Sequence, residues 1–321
     1  MGGWTAGLQR GRVKIAITGS TGLIGTALLR ELEASGHAII RLVRTKGAVG
    51  PRAVLWDPET GIRDPAPLEG FDALVHLAGE NLASGRWTAA RKTQLRHSRV
   101  HATRKLSESL VRLSTPPRTM VCASAIGIYG DRGDAVLTEE SPAGQGFLAR
   151  LCQEWEAAAA SARAQGIRVV FPRLGIVLAQ TGGALGRMLP AFRLGLGGPL
   201  GTGRQFWSWI ALQDVIGAVV HILADAAIAG PVNLTAPQPV TQSEFARTLG
   251  QVLHRPAVLP APAWALRLAV GEMADQALLA SARVIPATLT AQGYRFRFPE
   301  LRSALSSALG GGQGGSTVCS L

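Results

Sequence analysis

The stretch VKIAITGSTGLIGTALLREL, residues 13–32, decides the fold. VKIAIT (13–18) is a short apolar, β-branched run, and the apolar residues after it recur at helical spacing. A strand therefore turns into an amphipathic helix across Gly19, Gly22 and Gly25. Gly19 permits a tight turn, Gly22 lets backbone N–H groups approach a ligand, and Gly25 lets the helix pack closely on the strand. The start of a helix carries a partial positive charge and free N–H donors, so this turn suits the pyrophosphate of a dinucleotide.

Outward from that turn, further β-branched runs follow: AIIRLV (38–43), ALVHLA (73–78), TMVCAS (119–124) and IRVVFP (167–172). Apolar-periodic helices are predicted between several of them, at about 22–35, 88–113 and 147–165. The alternation predicts an α/β fold, a Rossmann-like doubly wound parallel sheet whose ligand crevice lies at the carboxyl ends of the strands. After about residue 180 the alternation breaks down into Gly-rich turns, a Trp-bearing strand candidate QFWSWIAL and helices between 213 and 308. These imply a smaller C-terminal substrate lobe closing over the crevice. The expected division is an extension over 1–12, a dinucleotide-binding domain over 13–180 with its sheet completed by parts of 205–240, the lobe over 181–309, and a flexible tail over 310–321.

Of the 321 residues 47% are hydrophobic and 17% charged, and no run of about eighteen uncharged apolar residues suggests a membrane span. Gly, Thr and Ser interrupt what would be the apolar part of a secretory signal, so a cytoplasmic protein is expected. Cys122, Cys152 and Cys319 form no metal-ligand spacing with the six scattered histidines, and no metal site is expected. The net charge of +12 raises nucleic acid as a partner. The chain has no basic tail, no nucleic-acid motif and only two tyrosines for stacking, so the expected partner is a small-molecule substrate. The sequence says nothing of the oligomeric state.

The segment Thr18–Gly25 reads TGxxGxxG, and here the chain resembles the extended short-chain dehydrogenase/reductases. The resemblance is closer to one atypical branch, the epimerase family proteins, which are similar to sugar-nucleotide epimerases and have a small C-terminal domain of their own. It is carried by ITGSTGLIGTAL, VHLAGENLASGRW, SRVHATRKL, FLARLCQEWEAAA, GGALGRMLPAFRLGLGGPLGTGRQFWSWI and VIPATLTAQGYRFRFPEL, over about residues 13–308. The resemblance implies that Gly19, Ser20, Thr21, Gly22, Leu23, Ile24 and Gly25 cradle the cofactor. It also implies that Leu77, Ala78 and Gly79 line the adenosine and ribose, with Arg99 near the cofactor.

In a NAD site a carboxylate at the end of the second strand binds the ribose hydroxyls. Here that strand ends RLVRTKG, with Arg44 in the position and Lys46 after it, which favours NADP. Between Asn81 and Ser107 the charged residues are all basic: Arg86, Arg91, Lys92, Arg96, Arg99, Arg104 and Lys105. Apart from Arg99, most read as a solvated helical face.

The segment GQGFLARLCQEWEAAAA, residues 144–160, stands where the wider family carries its YxxxK pair, and it holds Phe147, Leu148, Leu151 and Cys152. Neither Tyr129 nor Tyr294 is followed by one of the lysines Lys14, Lys46, Lys92 and Lys105, so the pair is absent. Without a lysine, a phenol near pKa 10 is ionised only about 0.1% of the time at neutral pH, a handicap of about 4 kcal/mol for a base. Oxidation of an alcohol is thereby disfavoured, whereas reduction needs only a proton donor. CASAIGIYGD resembles the SSxxxYG segment, placing Ser124 and Tyr129 as catalytic candidates, although the usual hydroxyl position falls on Ala125. Ser124 also reads as a cofactor contact, and Tyr129 equally as a loop tyrosine anchored by its hydroxyl.

Glu154 and Glu156 read as exposed helix carboxylates, and Arg173 as a cation meeting an anionic cofactor or substrate. Trp207 and Trp209 read as packing or a lid, and Asp214 as a helix N-cap. The reading favoured is an NADP-binding reductase of a small carbonyl substrate. A non-catalytic NADP-responsive protein and a sugar-nucleotide epimerase stand as alternatives.

Overall fold

The computed structural model describes residues 12–45, 50 and 52–310. The expectations for 1–11, Lys46 and 311–321, which include Cys319, fall outside the described residues. The first strands are β1 (Lys14–Thr18), β2 (Ala38–Val43), β3 (Ala53–Asp57), β4 (Gly61–Ile62), β5 (Ala73–His76), β6 (Thr119–Cys122) and β7 (Ser124–Ala125). They are followed by β8 (Val136–Leu137), β9 (Arg168–Leu174), β10 (Ile176–Leu178), β11 (Phe206–Trp207), β12 (Trp209–Ala211), β13 (Gly230–Leu234), β14 (Val240–Thr241) and β15 (Arg283–Val284).

Among the described residues the main sheet has nine strands in the order β13-β9-β6-β5-β1-β2-β3-β4, with β7 pairing beside β9. Every pairing is parallel except β3 with β4. The chain runs from β1 outward to β2 and β3, then returns to β5 on the other side of β1. The order therefore reverses between β1 and β5, and a doubly wound sheet opens its ligand crevice at that point.

Helices α1 (Leu23–Ala34), α2 (Ala89–Arg96), α3 (Ala102–Leu110), α4 (Phe147–Ala157), α5 (Ala160–Ala164) and α7 (Leu212–Ala224) cover both faces, and α6 (Gly183–Arg193) packs beyond them. The strand period of two sorts the core. Ile15 and Ile17 of β1 pack with Leu28 and Leu32 of α1 and Val215 and Val219 of α7. Ala16 lies on the other face, with Leu95, Leu106, Leu151 and Trp155. The remaining helices, α8 (Gln242–Leu253), α9 (Ala263–Val270), α10 (Ala287–Ala291) and α11 (Leu301–Leu309), follow β13. A third core gathers Leu189, Phe192, Trp207, Trp209, Phe245 and Leu305 from α6, β11, β12, α8 and α11. Among the described residues no helix is long and apolar enough to cross a membrane.

Several elements differ from the sequence expectation. The run 73–78 leaves the sheet after His76, because Thr18 Oγ1 takes the N–H groups of Leu77 (3.1 Å) and Ala78 (3.2 Å). QFWSWIAL splits: Trp207 pairs with Val240, Trp209 with Ile176, and Leu212 already begins α7. Both tryptophans are packing residues, donating to the carbonyls of Leu278 and Gln238 at 3.2 Å each. The helix expected over 88–113 is interrupted by a π turn at His97–His101 between α2 and α3. Asp214 is not an N-cap. Ala211 holds that position, and the buried Asp214 carboxylate accepts from the backbone N–H of Arg297 (2.7 Å) and Phe298 (2.9 Å), tying the C-terminal segment to α7.

Candidate functional site

The turn at the end of β1 is shaped by close backbone contact. Gly19 has φ +69°, and a Cβ there would lie 2.7 Å from the carbonyl carbon of Leu77, beyond the end of β5. A Cβ on Gly25 would lie 2.1 Å from the Gly19 oxygen. Gly22 N–H donates to that oxygen at 3.0 Å, and Thr26 Oγ1 donates to the Ser20 carbonyl at 3.2 Å. Gly22 is also the N-cap of α1, with no side-chain cap and no acidic residue in the first turn, which spans Leu23, Ile24 and Gly25. Ser20 is buried and Thr21 exposed. This backbone-walled cradle at a helix start, on the switch point of the sheet, fits the diphosphate of a dinucleotide.

Beneath the cradle runs a chain of buried polar groups. Thr18 Oγ1 accepts two backbone N–H groups, so its own hydrogen goes to His76 Nδ1, 2.7 Å away. His76 is then the neutral Nε2–H tautomer, donating to Thr103 Oγ1 at 3.1 Å. Trp155 Nε1 donates to the same oxygen at 3.0 Å. Burial lowers the His76 pKa to about 4, in keeping with an uncharged ring. The chain links β1, β5, α3 and α4.

Beside the cradle, a cleft of about 530 Å³ opens over the ends of β2, β3 and β5, with Arg44, Trp56, Ala78, Gly79 and Glu80 in its wall. Arg44 is exposed and, among the described residues, pairs with no carboxylate. Arg99, in the π turn, is buried under the wall. Its Nη2 donates to the Glu80 carbonyl at 2.8 Å, and its guanidinium lies 5.1 Å from the Trp155 ring centroid. Burial lowers its pKa to about 10, which leaves it a cation at neutral pH. Gly79 lies directly against it, at ordinary contact distance from the guanidinium.

The rest of the basic helix is less solvated than expected. Arg91 pairs with Glu80 at 3.3 Å, Lys92 with Glu272, Arg96 with Glu154, and Lys105 with Glu108 at 2.9 Å.

Across the crevice, register brings a second set of polar side chains together. Ser124 of β7 pairs with Arg173 of β9, which in turn pairs with Asn233 of β13. Arg173 Nε and Nη2 grip Glu156 of α4 at 2.9 Å each, and Ser124 Oγ donates to the same carboxylate at 2.7 Å. Arg173 Nη1 donates to Tyr129 Oη at 2.9 Å, and Tyr129 Oη donates to Asn233 Oδ1 at 2.7 Å. Glu139 Oε1 accepts the backbone N–H of Asn233 (2.9 Å) and Thr288 (3.1 Å).

Burial raises the Tyr129 pKa, and Arg173 only partly offsets it. Burial also disfavours the Arg173 cation, but the bonds to Glu156 outweigh this and hold its pKa above the ordinary. Glu156 is thus no exposed helix carboxylate: its side chain is 14% exposed and neutralises Arg173. The positions of the absent pair are packed. Phe147 meets Trp87 edge-on at 5.4 Å, and Leu148, Leu151 and Cys152 are buried. Sequence reasoning missed Asn233 and Glu139 in this network, and no local motif marks either.

The model of the NAD dependent epimerase/dehydratase family matches residues 15–234, and a domain of unknown function (DUF1731) matches residues 261–308. The chain belongs to the epimerase family, as an atypical extended short-chain dehydrogenase/reductase. Epimerase family protein Mb2239 of Mycobacterium bovis is 44% identical over 294 residues, covering 92% of this chain and 97% of the relative. The crystal structure of human epimerase family protein SDR39U1 with NADPH is similar at TM-score 0.83 and 36% identity, over 92% of this chain and 99% of that one. A nucleoside-diphosphate sugar epimerase from Corynebacterium glutamicum is similar at TM-score 0.76 and 38% identity, over 94% of this chain and 59% of that one. The first two of these relatives match this chain over nearly their whole length.

Proposed function

We propose that the protein binds NADP(H) and reduces a small carbonyl substrate. The observation that carries the cofactor choice is Arg44 in the wall of the cleft, at the end of β2, where a NAD site places its ribose-reading carboxylate. A guanidinium meeting the 2′-phosphate contributes about 1.5–3 kcal/mol. The human relative solved with NADPH supports the same choice here. When bound, the cofactor supplies the hydride. The residues of this chain hold the diphosphate on the Gly19–Gly25 turn and keep the ends of β1 and β5 at fixed spacing through Thr18 and His76. A Tyr129 hydroxyl kept neutral by burial fits a proton donor and not a base, which favours the reducing direction.

One observation favours a second reading, a non-catalytic NADP-responsive protein. Tyr129 already gives its hydrogen to Asn233 and accepts from Arg173, and Ser124 gives its hydrogen to Glu156. On that reading both hydroxyls position the crevice wall and neither serves a substrate. A carbonyl panel with NADPH, run on the full chain and on Tyr129→Phe, separates the two. Reduction slowed by about 10² in the variant, with NADPH affinity intact, supports Tyr129 as the donor. An unchanged rate removes Tyr129 from proton transfer. Stoichiometric NADPH binding without turnover across the panel selects the second reading.

A further inference from the structure

The π turn His97–His101 holds two histidines side by side, with ring centroids 4.6 Å apart and 20° between their planes. Both present Nε2 to Glu59, in the turn between β3 and β4: His97 Nε2 lies 3.0 Å from Oε1 and His101 Nε2 lies 3.6 Å from Oε2. The three ligand atoms lie within 4.8 Å of one another. A tetrahedral metal with bonds of about 2.0–2.1 Å sets neighbouring donors about 3.3 Å apart, and the two observed separations bracket that value. We infer that Glu59, His97 and His101 form a three-ligand site for a divalent transition metal of the zinc type, with water as the fourth ligand.

Both halves of the site are held before any ion arrives. Glu59 N–H is fixed by Asp57 Oδ1 at 2.7 Å, and the β3–β4 turn is pressed onto α3, where Ile62 N–H donates to Ser109 Oγ at 2.9 Å. Arg112 Nη2 adds a bond to the Ile62 carbonyl at 2.6 Å. Gly61 makes this approach possible, because a Cβ there would lie 2.4 Å from Ser109 Oγ. The π turn supplies the other half. An inserted residue widens the helix locally, and such bulges recur at functional sites.

An ion pair alone explains the arrangement less well. One carboxylate faces the Nε2 atoms of two imidazoles at once, and an imidazole nitrogen is a metal ligand as well as a hydrogen-bonding group. The further contact, His101 Nε2 to the Glu59 carbonyl at 3.2 Å, holds the ring in place while that nitrogen keeps its hydrogen. On metal binding the hydrogen moves to Nδ1 and the Nε2 lone pair turns to the ion. Glu59 and His97 also line the cleft that contains Arg44, so the ion sits on its rim. The site runs against the sequence expectation of no metal, which searched for cysteine spacings and passed over the His-x-x-x-His of HSRVH.

Calorimetric titration of the full chain with Zn²⁺, Co²⁺ and Mg²⁺ tests the inference, alongside His97→Ala, His101→Gln, Glu59→Gln and the control His254→Ala. The expected result is one Zn²⁺ per chain, with Zn²⁺ and Co²⁺ bound far more tightly than Mg²⁺, as imidazole ligands require. Each ligand variant weakens Zn²⁺ binding by more than about tenfold, whereas His254→Ala leaves it unchanged. The metal-free melting temperatures of all four variants stay near that of the parent, since Glu59 is exposed and both histidines are only half-buried, which separates lost ligands from lost folding. No Zn²⁺ binding by the parent chain, equal binding in the ligand variants, or a thiolate-to-cobalt absorption band on Co²⁺ loading overturns the site.

Discussion

The two ends of the crevice are built from opposite materials. At the switch point between β1 and β5 the ligand surface is backbone, and its defining feature is missing side chains: no Cβ fits at Gly19 or Gly25. At the ends of β7, β9 and β13 the surface is side chain, a closed network of Ser124, Glu156, Arg173, Tyr129 and Asn233. The first end accepts an anion without rearrangement, because helix-start N–H groups are fixed donors. The second pairs Arg173 with Glu156 internally and ties up both hydroxyls, so a ligand there meets groups that already have partners, apart from the buried Glu139 Oε2. The first end is thus shaped for a diphosphate, while the Tyr129 and Ser124 hydroxyls at the other end would have to open a bond that folding has closed before meeting a ligand.

The largest expected effect lies at the side-chain end. Arg173→Met leaves the Glu156 carboxylate buried and unpaired, and urea unfolding should show a loss of about 3–5 kcal/mol. Arg173→Met combined with Glu156→Met should recover much of it. A single variant as stable as the parent would mean that the network is not closed as described.

A pH effect probes the buried chain under the glycine turn. His76 has its pKa lowered to about 4 by burial, below the unfolded value of 6.5. The stability it contributes is complete above pH 6.5 and is lost as pH falls toward 4. The loss reaches about 3 kcal/mol, read from denaturant melts across that window. In His76→Gln the same window should be flatter.

At the backbone end the effect falls on binding. Gly25→Ala brings a Cβ to 2.1 Å from the Gly19 oxygen, which the turn relieves only by opening. Nicotinamide fluorescence titration should show affinity for the dinucleotide falling by at least about a hundredfold, or about 2.8 kcal/mol. Retained affinity would break the contrast between the two ends.

The smallest effect sharpens the contrast within the cofactor end. NADPH should bind at least about tenfold more tightly than NADH, and Arg44→Ala should remove that preference while sparing NADH. Equal affinities in the parent chain would show that the 2′-phosphate is not read there.

How much was legible follows the range of each interaction. The strands at 14–18 and 38–43, the helix after Gly22 and the glycine spacing are written in a few neighbouring residues, as periods of two and 3.6 and as the steric freedom of glycine. They alone determine a strand–helix–strand unit with a dinucleotide turn. Arg173 shows where local reading stops: the sequence places a cation after a strand, but its partner, Glu156, is chosen by where α4 crosses β9. Asn233 reaches Tyr129 only because β13 pairs in register with β9. The trio Glu59, His97 and His101 exists only because the β3–β4 turn presses on a helix whose π turn brings the rings together. Periodicity and turn chemistry depend on neighbours along the chain, so the sequence determined them unaided. Strand order and register depend on packing between distant segments, so only the tertiary structure decided which charges meet.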